Sequence, residues 1–100
     1  MNHADIVREI YRALERANAL RPPDDQIACA EESALYGVAG ALDSLGLVAL
    51  ILDVEEAISE RVGRLVVLAD EKAMAQSRSP FRNVRSFADY VLHRLEEVAP

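Results

Sequence analysis

The sequence predicts an all-α domain, a bundle of three long helices and one short helix, with a long loop after the first helix. Three observations support this fold class. The chain of 100 residues is dominated by Ala, Leu, Glu and Arg, which favour helices, and aromatic residues make up only 5% of it. Apolar residues recur at spacings of three and four in separate segments. Proline and glycine lie between those segments, where helices end.

The first helix is predicted over residues 4–19, with charged residues on much of its solvent side. Its apolar face is formed by Ile6, Ile10, Leu14 and Ala17. Arg21-Pro22-Pro23 ends it, because proline cannot continue a helix and disfavours helical geometry in the residue before it. Residues 24–43 form a long connection, and the sequence permits a short helix over residues 26–34.

The second helix is predicted to begin at Asp43 or Ser44 and to end near Val62. Asp and Ser are good N-cap residues because their side-chain oxygens accept free backbone amides, and Gly63 is a stop signal. One apolar stripe is predicted to face the core: Leu47, Leu50, Ile51, Val54 and Ile58. An adjoining row, which we expect to stay partly exposed, consists of Leu45, Val48 and Leu52.

The remainder of the chain predicts one short helix and one long helix. Residues 65–68 are apolar but too few to predict a strand. A brief helix capped by Asp70 is predicted to end between residues 74 and 76, and residues 77–82 form a polar, basic loop. The last helix is predicted to begin at Asn83 or Val84 and to end near Glu97. Its core face consists of Val84, Phe87, Ala88, Val91, Leu92 and Leu95.

Charge and size limit the classes of function. A net charge of −6 and an isoelectric point near 4.8 disfavour nucleic acid, whose phosphates need a basic face, and favour basic protein surfaces as partners. No apolar run approaches the length of a membrane span, so we expect no membrane contact. Cys29 is the only cysteine and no signal-peptide pattern opens the chain, so a cytoplasmic location is expected. One small domain, expected to be a monomer, favours a carrier or binding role over an independent enzyme.

The most informative segment is Leu42-Asp43-Ser44-Leu45-Gly46-Leu47, which places a serine hydroxyl at the mouth of a helix. A helix N-terminus carries partial positive charge and unpaired amides, which favour a phosphodiester. The segment resembles the prosthetic-group motif of the acyl carrier proteins, an Asp-Ser-Leu tripeptide that opens the second helix. Val48, Leu50 and Glu55-Glu56 also stand where that family has apolar and acidic residues, and residues 84–95 resemble its last helix.

The resemblance implies that Ser44 accepts 4'-phosphopantetheine from coenzyme A, and that the thiol of this arm holds acyl or aminoacyl groups as thioesters. It implies three partners: a phosphopantetheinyl transferase, an acyl- or aminoacyl-activating ligase, and a downstream acyltransferase or synthase. Asp43 can help to bind the metal and basic groups that the transferase brings, and Leu45 adjoins the arm. The implied partner-binding residues are Leu45, Val48, Leu52, Glu55 and Glu56.

The chain departs from the family pattern in two regions. Many carriers have acidic residues two and five positions after the serine, where this chain has Gly46 and Ala49. Docking at the start of the helix then depends more on apolar contact than on charge. Residues 72–85 are also longer and more basic than the usual third-helix region. The arginines of this stretch, Arg78, Arg82 and Arg85, are either partner contacts or solvated charges.

Alternatives to a phosphopantetheine carrier remain open. An Asp-Ser-Leu tripeptide often only caps a helix, so the chain can instead be a carrier-fold interaction module that is never modified. A small enzyme is disfavoured, because Cys29, His3 and His93 are too dispersed to indicate a catalytic set and no metal-ligand spacing is visible. The cargo of a carrier stays open between a fatty chain, an amino acid and a specialised acid.

Overall fold

The computed structural model describes residues 1–37, 40–69 and 80–97. These residues form three α-helices and one 3-10 turn: α1 His3–Asn18, the 3-10 turn Pro23–Asp25, α2 Ser44–Val62 and α3 Val84–Glu97. The described ranges contain no named strand, and Ala34 and Asn83 form an isolated antiparallel bridge. The all-α class is therefore confirmed. The predicted brief helix capped by Asp70 lies outside the described residues, so the count of four helices stays a prediction.

Helix α1 begins one residue earlier than predicted because of its N-terminal cap. The side chain of Asn2 accepts a hydrogen bond from the Asp5 amide at 2.9 Å, and the Asp5 carboxylate accepts one from the Asn2 amide at 3.1 Å. This reciprocal capping box satisfies two amides that a helix start leaves without partners.

The helices pack around one apolar core, and α1 contacts both α2 and α3. Helices α1 and α2 are antiparallel, because Arg16 near the end of α1 pairs with Asp53 at 2.8 Å, while Glu9, about two turns earlier in α1, pairs at 3.4 Å with Arg61, about two turns later in α2. The C-terminal end of α1 therefore lies beside the first half of α2. The stripe predicted for α2 is buried as expected: Leu47, Leu50, Ile51, Val54 and Ile58.

The short helix that the sequence permits over residues 26–34 does not form. The Asn18 side chain bonds both backbone groups of Ile27, accepting from its amide at 2.8 Å and donating to its carbonyl oxygen at 2.9 Å. The carbonyl oxygens of Glu31 and Ser33 accept from the first amides of α3. Backbone groups used in these tertiary bonds are not available for a local helix, so the prediction was wrong for a reason that lies in the packing.

Of the helices in the described ranges, none is both long and apolar enough to cross a membrane.

Candidate functional site

The start of α2 has the cap that the sequence predicts. Asp43 lies just before the helix and its Oδ1 accepts a hydrogen bond from the Gly46 amide at 2.7 Å. The Asp43 carbonyl oxygen accepts from the Leu47 amide at 2.9 Å, which begins the helical pattern. At the other end of α2, Gly63 adopts the left-handed conformation with φ 72°, and its amide donates a hydrogen bond to the Ser59 carbonyl oxygen. Both predicted boundaries of α2 are therefore confirmed.

Ser44 is the first residue of α2 and its side chain is exposed. Its Oγ lies 3.4 Å from the Tyr36 hydroxyl oxygen. The Tyr36 ring is partly buried and packs against the core, so the tyrosine hydroxyl is held beside the serine. Tyr36 is not among the site residues that the sequence predicts. An aromatic residue in the preceding loop was the available signal, but only the folding of that loop brings the two hydroxyls together.

The loop before Ser44 closes through two backbone hydrogen bonds. Leu42 N donates to Leu35 O at 2.9 Å, and Gly40 N donates to Gly37 O at 3.0 Å. The turn needs glycine at both positions: Gly37 has φ +112°, and a Cβ on Gly40 would lie 2.6 Å from the Tyr36 Cα. The glycines therefore allow the loop to place Tyr36 against the mouth of α2.

The apolar row beside Ser44 is exposed, as predicted. The exposed fractions are 82% for Leu45, 37% for Val48 and 51% for Leu52. The adjoining stripe of the same helix belongs to the buried core, whereas these three side chains lie outside it. Exposed apolar residues that cluster next to a functional group are typical of contact surfaces, and partner binding by this row stays a prediction.

The neighbouring carboxylates Glu55 and Glu56 have different surroundings. Glu56 is exposed, whereas Glu55 is partly buried and its Oε2 accepts from the Leu68 amide at 2.8 Å and from the Ala69 amide at 3.5 Å. The Glu55 carboxylate thus holds the chain that follows α2. The structure places both residues on α2, and their role in partner binding remains a prediction.

The basic residues near the last helix also differ in their contacts. Arg85 pairs with Glu32 at 3.2 Å and with Glu31 at 3.8 Å, which ties α3 to the long connection. Arg82 is exposed, and Arg78 lies outside the described residues. For Arg85, the structure therefore favours a structural ion pair over a free solvated charge.

The residues considered for catalysis have other partners. The pKa of the exposed Cys29 thiol is raised, first by desolvation and then by the charge of Glu15, which disfavours the thiolate. His3 Nε2 lies 3.1 Å from Asp89, and His93 Nε2 lies 3.0 Å from Glu97. The part of the chain that the structure describes contains no group of three His, Cys, Asp or Glu side chains able to hold a metal ion.

Comparison of the chain with models of protein families, with curated proteins and with solved structures finds no match. Proposals about function therefore depend on the chain's own residues. The features that bear on them are the exposed Ser44, the Asp43 cap, the Tyr36 hydroxyl and the apolar row.

Proposed function

We propose that this protein is a carrier whose Ser44 bears a 4'-phosphopantetheine arm. The arm, when bound, supplies a thiol on which acyl or aminoacyl groups are held as thioesters for delivery to partner enzymes. One observation carries the proposal: the Ser44 hydroxyl is exposed at the first residue of a capped helix of 19 residues, beside an exposed apolar row.

The residues around Ser44 suit attachment of a phosphodiester. In the transfer, Ser44 Oγ forms a bond to the β-phosphorus of coenzyme A and loses its proton to a base of the transferase. The pyrophosphate bond breaks and the adenosine bisphosphate leaves. The partial positive charge of the helix start favours the phosphate, and the Tyr36 hydroxyl is close enough to Ser44 to donate to a phosphate oxygen. An exposed loop–helix junction also lets a large enzyme reach the hydroxyl.

Asp43 supports the proposal in two ways. Its Oδ1 holds the first turn of α2 and so fixes the backbone that carries Ser44. Its charge, next to the acceptor, suits the metal and basic groups that a transferase brings. The same charge repels the phosphate of the arm, and the opposing field of the helix start offsets that repulsion.

The proposed partners are the transferase, an acyl- or aminoacyl-activating ligase and a downstream acyltransferase or synthase. Leu45, Val48 and Leu52 offer these enzymes an apolar contact next to the arm, and the exposed Glu56 adds negative charge. The uncharged Gly46 and Ala49 lie on the same half of the helix, so we propose that contact near Ser44 is mainly apolar. We also propose a monomer that acts in the cytoplasm.

Intact-protein mass spectrometry tests this function directly. The unmodified protein is incubated with coenzyme A and a broad-range phosphopantetheinyl transferase. We expect the wild type and Ser33→Ala, a control in the long connection, to gain the mass of one phosphopantetheine group, and Ser44→Ala to gain none.

Two outcomes favour the alternatives. If the wild type gains no mass and behaves like Ser44→Ala, a carrier-fold interaction module that is never modified is the better interpretation. The exposed apolar row supports that module equally well. Turnover of a substrate by the unmodified protein would instead favour a small enzyme.

A further inference from the structure

One surface of this acidic protein is covered by arginines. Three of them follow α1 at four-residue spacing, which places them about 6 Å apart along the helix, and a fourth lies on α2. We term this surface the arginine face, and it consists of Arg8, Arg12, Arg16 and Arg61. The four side chains are between 41% and 58% exposed, so all of them are accessible to a molecule that approaches from solvent.

The carboxylates that pair with the arginine face are less exposed than the arginines. The Glu9 side chain is only 6% exposed, and its Oε1 lies 2.7 Å from Arg12 Nη1 and 3.4 Å from Arg61 Nη1. Asp5 and Asp53, which pair with the other two arginines at 3.5 and 2.8 Å, are 27% and 34% exposed. Positive charge is therefore the outer layer of this surface, and the carboxylates form the inner layer.

Two of these arginines also share a single carboxylate. Within the described ranges, Arg12 and Arg61 each pair with Glu9 and with no other carboxylate inside 4 Å. A guanidinium carries several N–H donors, and only Nη1 of each of these two is engaged by the part of the chain that the structure describes. Their remaining N–H groups are thus available to an acceptor on another molecule.

The arginine face ends at a groove of about 420 Å³ between the end of α1 and the start of α2. Arg16 lines the groove and binds both oxygens of Asp53, at 2.8 and 2.9 Å. The rest of the lining is largely apolar or small, and it includes Ala17, Leu20, Leu42, Gly46 and Ala49. Leu20 is 92% exposed at this groove. An apolar side chain from outside would therefore meet an uncharged lining next to an arginine.

The groove lies apart from the exposed row of α2. Its lining residues Gly46, Ala49 and Asp53 each follow a member of that row by one position, which rotates them by about 100° around the helix. A molecule in the groove contacts α1 as well as α2. An inference from this surface therefore goes beyond the proposed function and does not depend on an arm at Ser44.

We propose that the arginine face and this groove form a docking surface for an acidic helix of a partner protein. Carboxylates at every fourth position of such a helix match the spacing of about 6 Å between the arginines of α1. Carboxylates also suit the planar fork of donors on a guanidinium. A large apolar side chain at one end of the helix fills the groove.

This surface reverses the preference that the whole chain has for basic partners. The net charge of −6 favours basic surfaces, whereas the arginine face presents the opposite charge to a partner that lies along α1. An anionic membrane fits less well than a helix. The net charge of the protein is repelled by such a membrane, and a flat surface supplies no protruding side chain for the groove.

An NMR titration with synthetic peptides tests the docking surface. Two helical peptides of equal length carry one leucine near the end, and they differ only at every fourth position, which is Glu in the first and Lys in the second. Each is added to the unmodified, full-length protein, and the backbone amide and arginine Nε–Hε signals are followed. We expect the Glu peptide to shift Arg12, Arg16 and Ala49 more than the exposed row. We expect it to bind about tenfold more tightly than the Lys peptide.

Arginine variants show whether the arginine face makes the contact. Arg8→Gln and Arg12→Gln are each expected to weaken binding of the Glu peptide about threefold at low salt and much less at high salt, as loss of an exposed ion pair implies. The control Arg82→Gln, at an exposed arginine just before α3, is expected to leave binding unchanged. Arg8→Gln keeps the test decisive if Arg12→Gln lowers stability, because Arg8 pairs with Asp5 and not with the buried Glu9.

Alanine variants test the groove in the same way. Ala49→Glu brings a carboxylate into the lining, where it repels the acidic helix and meets its apolar side chain, so we expect binding about tenfold weaker. Ala49 is exposed, so the substitution leaves the core intact. The control Ala28→Glu, at an exposed alanine of the long connection, is expected to leave binding unchanged.

Equal binding of the two peptides would overturn the inference, as would equal weakening by Arg12→Gln and Arg82→Gln. Sedimentation of the protein alone, and with vesicles of phosphatidylcholine and phosphatidylserine, tests two other occupants. We expect a monomer that leaves the vesicles unbound. A dimer or a vesicle complex that Arg12→Gln disrupts would make a second copy or a membrane the occupant, and would also overturn the inference. All of these measurements use unmodified protein, so their failure leaves the mass measurement on Ser44 unaffected.

Discussion

Replacing Asp43 separates the cap of α2 from the charge beside Ser44. Asp43→Ala removes the oxygen that accepts from the Gly46 amide at 2.7 Å, whereas Asp43→Asn keeps an oxygen and removes only the charge. Loss of an N-cap costs about 1 kcal/mol, and loss of an exposed negative charge at a helix start costs about 0.5 kcal/mol. We therefore expect a loss of unfolding free energy of about 1.5 kcal/mol for Asp43→Ala and about 0.5 kcal/mol for Asp43→Asn.

These losses are measurable by thermal unfolding followed with far-UV circular dichroism. For a domain of this size they correspond to a fall in Tm of roughly 6–12 °C for Asp43→Ala and roughly 2–4 °C for Asp43→Asn. The rate at which a transferase modifies Ser44 is measured on the same samples below their Tm. We expect Asp43→Asn to be modified more slowly than the wild type, since its helix start is intact and its charge is gone. Equal falls in Tm for the two variants would refute the capping role.

Further predictions concern the packing, the loop and the pH dependence. Leu47→Ala should lower the free energy of unfolding, measured in urea, by about 2–5 kcal/mol because Leu47 is 2% exposed. Leu45→Ala should change it by no more than about 0.5 kcal/mol, and similar losses for the two variants would contradict the orientation of α2. Gly40→Ala should lower the free energy of unfolding by about 1–3 kcal/mol or more in the same assay, since the Cβ of the new alanine would clash with the Tyr36 backbone. A hydrogen bond from the Asn2 amide holds the pKa of Asp5 in the folded protein below its usual range. The ionised Asp5 carboxylate therefore stabilises the fold fully at pH values above an ordinary carboxyl pKa of about 3.9, and this stabilisation is lost as the pH falls through the pKa of Asp5 in the folded protein. Asp5→Asn should flatten that acid limb of the stability curve, and an unchanged limb would count against the capping box.

The elements that the sequence predicts well are those whose ends are decided locally. Asp43 and Gly63 act on amides and carbonyls within one turn, so the bounds of α2 follow from the residues themselves. The same holds for α3, where Asn83 Oδ1 accepts from the Ser86 amide at 2.8 Å. The observed start of α1 lies one residue before the predicted start. Its capping box consists of Asn2 and Asp5, whereas the usual sequence signature of a capping box is Ser or Thr followed by Glu or Gln.

The features that the sequence could not predict depend on distant backbone groups. Glu55 resembles a solvated helix charge in the sequence, but its carboxylate binds amides 13 and 14 residues further along the chain. Tyr36 reaches Ser44 only because the loop between them closes on two glycines. Periodicity and propensity describe neighbours along the chain and carry no information about such contacts.

The attachment of an arm to Ser44 is tested most directly in protein purified from its own cells. Peptide mass spectrometry on that protein measures whether the fragment with Ser44 carries added mass. We expect a fragment heavier by one phosphopantetheine group, in part with an acyl or aminoacyl group on its thiol, and the addition to map to the serine oxygen. A Ser44 fragment of unmodified mass in every copy, in a cell that contains an active phosphopantetheinyl transferase, would contradict the proposed carrier function.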